Sequence, residues 1–121
     1  MSILITGGAG FIGSHFVRRM IYQGKRLVVL DKLTYAGNLE NLKDVIDDSK
    51  TSQQFKFYKG DICNQELVEH IFLEENIETL INFAAESHVD RSISGSEIFF
   101  RTNVIGTNVL LEASRRFEVE R

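Results

Sequence analysis

The sequence predicts an α/β fold of the Rossmann type, with four parallel strands in the order 3-2-1-4 and helices on both faces. Short apolar segments alternate four times with segments of helical periodicity, which is the pattern of βαβ crossovers. The first apolar segment runs directly into a glycine-rich turn, and an acidic residue follows the second. Right-handed crossovers from a central first strand then give the strand order.

The first half of the chain is predicted to contain two strands and two helices. In order, these are strand Ser2–Thr6, a helix from Phe11 that ends near Gly24, strand Leu27–Leu30 and a helix over 39–46 capped by Asn38. Both strands are nearly all apolar, which is typical of parallel strands that are buried on both faces.

The second half repeats this alternation after a polar stretch. Residues 47–54 are wholly polar and predict an exposed turn. The elements that follow are strand Phe55–Tyr58, a helix capped by Asn64, strand Thr79–Phe83, a polar loop over 84–97 and a helix from Ile98 to about Phe117. Strand Phe55–Tyr58 alternates apolar and polar residues, which favours a position near the edge of the sheet.

Composition excludes several classes of function. The 14 basic and 17 acidic side chains give a formal net charge of −3 with no block of like charge, which argues against nucleic-acid binding. The single cysteine, Cys63, excludes an intramolecular disulfide and a multi-cysteine zinc site. No apolar run approaches the roughly 20 residues that span a bilayer, and the N-terminus lacks the pattern of a secretory signal. We expect one cytoplasmic domain over residues 1–121, without membrane, metal or nucleic-acid partners.

The glycine-rich turn indicates a dinucleotide site. Gly7, Gly10 and Gly13 are spaced three apart between a strand and a helix. In such a motif the first glycine permits the turn, the second lets the backbone approach a pyrophosphate, and the third lets the helix pack closely on the strand. The same spacing of glycines also occurs in ordinary strand–helix turns that bind no nucleotide. Here Asp31 follows Gly13 by 18 residues, at the end of the second strand, as the nucleotide-binding motif requires.

Asp31 also favours NAD over NADP. A carboxylate at this position accepts hydrogen bonds from the ribose hydroxyls of NAD and repels the 2′-phosphate of NADP. Lys32 follows immediately and could soften this preference.

Longer motifs resemble a known family. The segments I-T-G-G-A-G-F-I-G-S-H, L-D-K-L-T-Y-A-G-N-L-E-N-L, K-G-D-I-C, F-A-A-E-S-H-V-D-R-S and T-N-V-I-G-T are similar to those of the extended short-chain dehydrogenase/reductase superfamily. Within it, the second and fourth segments resemble the dTDP-glucose 4,6-dehydratases in particular. The similarity runs through essentially the whole chain but corresponds only to the N-terminal part of that family. It implies an NAD-dependent lyase that converts dTDP-glucose to dTDP-4-keto-6-deoxyglucose and water, in deoxysugar and cell-surface polysaccharide biosynthesis.

The resemblance also implies the residues that bind NAD. Beside the three glycines, Phe11 and Ile12 would meet the pyrophosphate, and Thr102 would contact the cofactor from the last helix. The ribose residues would be Asp31, Lys32, Leu33 and Thr34, the adenine residues Asp61 and Ile62, and the nicotinamide-side residues Phe83, Ala84, Ala85, Glu86 and Ser87. Ser87 would also touch the sugar substrate.

The catalytic groups of that family are not found in residues 1–121. The family uses a tyrosine base with a lysine four residues later and an adjacent Asp-Glu pair, and it transfers a hydride from the sugar to NAD and back. Tyr22, Tyr35 and Tyr58 are each followed four residues later by another residue type. We therefore expect an N-terminal fragment that is inactive alone, ends before a fifth strand and leaves the edge of the fourth strand open. The exposed apolar surface is expected to drive formation of homo-oligomers.

Two other interpretations stay open at this point. The chain could be a free-standing NAD-binding module without catalysis, which would not need the missing groups. It could also be part of a related nucleotide-sugar epimerase or decarboxylase, although the E-S-H-V-D-R-S segment weighs against these enzymes.

Overall fold

The computed structural model describes residues 1–34, 37–48, 50–86 and 95–121. Its strands are β1 (Ser2–Thr6), β2 (Leu27–Asp31), β3 (Phe55–Lys59) and β4 (Ile77–Asn82). Its helices are α1 (Phe11–Ile21), α2 (Lys43–Asp47), α3 (Gln65–Glu75), α4 (Ser96–Phe100) and α5 (Thr107–Arg116). Short 3₁₀ turns cover Leu39–Leu42 and Ser52–Gln54, and a π-helical stretch, Arg101–Gly106, joins α4 to α5.

The four strands form one parallel sheet in the order β3-β2-β1-β4, which confirms the predicted topology and the edge position of β3. Alternate side chains of the strands enter two separate cores. Ile5 and Val29 pack on one face with Val17 of α1. Leu4 and Leu30 point to the other face, toward α3 and α5. Because β1 and β2 are covered on both faces, their sequences are apolar throughout.

The helix boundaries differ from the predictions in small ways. Asn38 and Asn64 act as caps, accepting hydrogen bonds from the N–H groups of Glu40 and Leu67. The helix predicted over 39–46 begins as a 3₁₀ turn and becomes α-helical only at Lys43. Helix α1 ends at Ile21, three residues before Gly24.

The predicted boundaries of β4 and the predicted exposure of the polar turn were also wrong in part. Strand β4 begins two residues early and ends one residue early, because Asn76 ends α3 in a left-handed conformation and leads directly into the strand. The polar turn is not wholly exposed. Thr51 is buried, since its hydroxyl donates to the Val45 carbonyl at 2.8 Å.

The β4 edge is not bare in the structure. The Glu120 N–H donates to the Glu78 carbonyl at 3.1 Å, and the Leu80 N–H donates to the Arg121 carbonyl at 2.8 Å. Glu120 and Arg121 therefore lie along the edge of β4 that was expected to be open. Within the described ranges, no helix is long and apolar enough to cross a membrane.

Candidate functional site

An open cleft lies at the carboxyl ends of the strands, with about 570 Å³ of empty volume including its mouth. In a parallel sheet this is where ligands bind, beside the strand at which the chain order reverses. The cleft is lined by Gly7, Gly10, Leu30, Asp31, Lys32, Thr34, Gly37, Gly60, Asp61, Ile62, Phe83, Ala84, Ala85, Glu86 and Thr102.

The glycine turn brings β1, α1 and the segment after β4 into close contact. Gly7 has a φ of +67°, and a Cβ placed on it would lie 2.6 Å from the Ala84 nitrogen. A Cβ on Gly13 would lie 2.2 Å from the Gly7 carbonyl oxygen. Both positions therefore require glycine, the first for the turn and the second for packing of the helix on the strand.

The amino end of α1 faces this turn. Gly10 caps the helix, and its N–H donates to the Gly7 carbonyl at 3.2 Å. The N–H groups of a first helical turn have no intrahelical acceptors, and the helix dipole makes this end positive. Phe11 and Ile12 occupy that turn with side chains that are 78% and 68% exposed. This end of the cleft is suited to an anion such as a pyrophosphate.

Asp31 joins the glycine turn to the loop after β2. Its Oδ2 accepts from the Ala9 N–H at 2.9 Å, and its Oδ1 accepts from the Leu33 N–H at 2.8 Å. Leu33 itself adopts a left-handed conformation, with φ 58°. The Ala9 carbonyl in turn accepts from the Asn41 side chain at 2.8 Å. The carboxylate is thus held rigidly at the wall of the cleft, and each oxygen keeps a lone pair for a further donor.

A second acidic residue, Asp61, lines the same cleft as Asp31. Asp61 Oδ1 accepts from the Cys63 N–H at 2.9 Å, and its Oδ2 lies 3.3 Å from the Lys32 ammonium. Burial acts to raise the pKa of Asp61, but the Cys63 N–H and Lys32 outweigh it and lower that pKa below its usual range. Burial, together with the charge of Asp61, raises the pKa of the Cys63 thiol. A raised pKa disfavours the thiolate, which is the nucleophilic form of cysteine.

The segment after β4 forms the opposite wall. The Phe83 N–H donates to the Thr6 carbonyl at 2.9 Å, and the Ala84 N–H donates to Asn82 Oδ1 at 3.1 Å. The Thr6 hydroxyl also donates to Asn82 Oδ1. These contacts hold the backbone of Phe83 and Ala84 against Gly7. Ala84 and Ala85 line the cleft, where small side chains leave room for a ligand.

Asn103 fixes the end of that wall. Its side-chain oxygen accepts from the Glu86 N–H at 2.8 Å, and its amide donates to the Glu86 carbonyl at 2.9 Å. The π-helical stretch carries Asn103 and its neighbour Thr102, which lines the cleft. A π-helical turn rotates side chains relative to an α-helix and is frequent at functional sites.

Most of the residues predicted to bind the cofactor lie together in this cleft. They are Gly7, Gly10, Asp31, Lys32, Thr34, Asp61, Ile62, Phe83, Ala84, Ala85, Glu86 and Thr102. Phe11, Ile12, Gly13 and Leu33 lie around the glycine turn and the β2 loop but do not line the cleft. Ser87 lies outside the described residues.

Four positions were not anticipated from the sequence. Leu30, Gly37 and Gly60 also line the cleft. They adjoin predicted residues in the chain, so the motifs themselves were a signal for them. Asn103 lies in the T-N-V-I-G-T segment beside the predicted Thr102, but this segment did not indicate its contact with Glu86, which lies 17 positions away. Within residues 1–34, 37–48, 50–86 and 95–121 no group of three or more His, Cys, Asp or Glu side chains could hold a metal ion.

A family model and a curated relative both identify similarity to sugar-nucleotide 4,6-dehydratases. The family model described as GDP-mannose 4,6 dehydratase matches residues 4–121. A dTDP-glucose 4,6-dehydratase of Shigella flexneri is 51% identical over 118 residues, which are 97% of this chain and 32% of that protein. The chain thus spans about a third of the length of the curated dehydratases that it matches.

Solved structures agree in fold. The dTDP-glucose 4,6-dehydratase DesIV of Streptomyces venezuelae, with NAD and TYD bound, has a TM-score of 0.90 and 43% identity; the match covers 100% of this chain and 38% of that one. A UDP-glucose 4-epimerase of Thermotoga maritima, solved with UDP-glucose, has a TM-score of 0.86 and 38% identity; the match covers 98% and 35%. The shared fold therefore does not separate the dehydratases from the epimerases.

Proposed function

This chain belongs to the GDP-mannose 4,6 dehydratase family, and we propose that it forms the NAD-binding part of a dTDP-glucose 4,6-dehydratase. The arrangement of Asp31 carries the cofactor part of the proposal. Its carboxylate is held by the Ala9 and Leu33 N–H groups at the wall of a cleft that begins at the glycine turn. That position suits the two hydroxyls of an adenosine ribose.

The site residues divide the cleft into four regions. The glycine turn with Phe11 and Ile12 would hold the pyrophosphate, and Asp31 to Thr34 the adenosine ribose. Asp61 and Ile62 would hold the adenine. The segment from Phe83 to Ser87, with Thr102, would hold the nicotinamide ribose, and Ser87 would also contact the sugar. Bound NAD would supply the hydride acceptor of the reaction, while these residues bind and orient it.

The dehydratase is preferred over the epimerase and over a free-standing binding module. The support is the identity of 51% with a curated dehydratase, together with the D-K-L-T-Y-A-G-N and E-S-H-V-D-R-S segments. We include in this proposal a nucleotide-sugar substrate, a homo-oligomeric state and a cytoplasmic location.

Calorimetric titration of the chain with NAD, and separately with NADP, tests the cofactor assignment. We expect saturable NAD binding and much weaker NADP binding. Circular dichroism establishes that the chain is folded under the same conditions. A folded chain that binds neither cofactor would contradict the proposal that residues 1–121 form an NAD site by themselves.

An activity assay tests whether catalysis needs groups that this chain does not contain. Because the chain carries no tyrosine–lysine pair at a spacing of four and no Thr-Asp-Glu segment, incubation with dTDP-glucose and NAD is expected to give no 4-keto sugar. Formation of that product by the purified chain would overturn the proposal that catalysis needs groups outside it.

A further inference from the structure

The two charged residues at the end of β2, Asp31 and Lys32, have opposite effects on the preference between NAD and NADP. Asp31 disfavours a phosphate on the ribose 2′-hydroxyl, whereas the adjacent Lys32 could neutralise one. Both line the cleft. Which effect prevails depends on where the Lys32 ammonium is held.

The structure pairs Lys32 with an acid on the loop after β3. Its ammonium lies 3.3 Å from Asp61 Oδ2, and the Lys32 side chain stays 49% exposed. Asp61 is itself oriented, because its other oxygen accepts from the Cys63 N–H at 2.9 Å. A fixed anion on the loop after β3 thus holds a flexible cation on the loop after β2.

Resting on the proposed NAD site, we infer that Asp61 is a positioning residue for cofactor selection, acting through Lys32. By pairing with the ammonium at the adenine end of the cleft, it keeps that charge from a phosphate beside Asp31. Removal of the Asp61 charge frees Lys32 to meet the 2′-phosphate of NADP. The pair is partly exposed, so the expected effect is moderate, about two- to fivefold.

The test is a double-mutant cycle of Asp61→Asn and Lys32→Gln, with NAD and NADP titrated into each variant. Asparagine keeps an oxygen for the Cys63 N–H, removes the charge and replaces the oxygen that faces Lys32 with an NH₂ group. We expect Asp61→Asn to raise NADP affinity relative to NAD by about two- to fivefold. Lys32→Gln should cancel this gain in the Asp61→Asn background and have a smaller effect in the unsubstituted chain. Both cofactors contain the same adenine. Any contact of Asp61 with that base therefore cancels in the ratio of NADP affinity to NAD affinity.

Each alternative has its own outcome. If the double variant keeps the gain, Asp61 repels the phosphate directly and the inference is overturned. If Asp61→Asn gives no gain while the unsubstituted chain binds NAD, the inference fails and the proposed function stands. If a folded unsubstituted chain binds neither cofactor, the proposal that residues 1–121 form an NAD site by themselves fails as well. Asp47→Asn, an exposed acid on α2 outside the cleft, controls for the change in net charge.

Discussion

Asp31 has a structural role in the fold and, in the proposed site, would also bind the ribose. It connects the glycine turn to the β2 loop through the Ala9 and Leu33 N–H groups, and it is only 8% exposed. A ribose would therefore meet an acceptor whose position is already set, and little conformational entropy would be lost in ordering it.

Replacement of this carboxylate tests both roles. We expect Asp31→Asn to weaken NAD binding by about tenfold, because hydrogen bonds to a charged acceptor become bonds to a neutral amide with a single oxygen. Titration calorimetry measures this loss, and Asp47→Asn is the matched control at an exposed site. Equal NAD affinity in the Asp31→Asn and control variants would mean that Asp31 does not contact the cofactor.

Asn103 is a positioning residue, and its replacement should lower the stability of the fold. Asn103→Ala leaves the Glu86 N–H and carbonyl without their side-chain partner, and we expect the free energy of unfolding to fall by about 1–3 kcal/mol. Urea unfolding measures this change. Asn108→Ala, an exposed site on α5, makes the same substitution without a comparable contact and should be nearly neutral. Similar losses in both variants would contradict the role assigned to Asn103.

At the scale of the elements, a buried carboxylate ties the amino ends of the strands to α3. Glu75 is 5% exposed and accepts from Arg26 at 2.8 Å and from Tyr58 at 2.8 Å, and the Lys56 ammonium lies 3.0 Å away. Burial acts to raise the pKa of Glu75, but the bonds from Lys56, Tyr58 and Arg26 outweigh it and hold that pKa below the usual range. This network lies at the end of the sheet opposite the cleft.

The network predicts a pH-dependent stability. A carboxyl group with a lowered folded-state pKa stabilises the fold above its unfolded pKa of about 4.3 and loses this contribution as the pH falls through the folded value. Glu75→Gln should therefore cost about 1–3 kcal/mol at pH 7 and much less at pH 3. Urea unfolding at both pH values measures the difference. Glu74→Gln, an exposed neighbour, is expected to show no such trend, and a Glu75→Gln cost that is independent of pH would refute the account.

At the scale of the whole molecule, the last helical region exposes apolar side chains. Phe100, Val104 and Leu111 are 58%, 53% and 62% exposed, and all three lie in the continuous helical region from α4 to α5. Such a surface favours association in water.

We expect the chain to self-associate through this surface. Leu111→Lys should shift sedimentation toward the monomer at equal concentration, because it places a charge among these apolar groups. Leu73→Lys alters a similarly exposed leucine on α3, 69% exposed, and serves as the matched control. A monodisperse monomer of the unsubstituted chain would exclude the expectation.

Local sequence was sufficient for the topology and for most of the residues that line the cleft. Apolar strands, caps at Asn38 and Asn64, and the spacing of the glycines and Asp31 are short-range signals, and parallel crossovers have one preferred hand. Motifs at the carboxyl ends of neighbouring strands must meet at one edge of the sheet. The lining of the cleft therefore followed closely from the order of the motifs.

Tertiary structure alone decided the contacts between distant segments. The π-helical turn, the bonds of Asn103 to Glu86 and the burial of Glu75 depend on partners that lie many residues away, so no local pattern encodes them. The same holds for the direction of Lys32. The sequence places it beside Asp31, and only the packing of two loops brings its ammonium to Asp61, because a flexible side chain takes the partner that the fold provides.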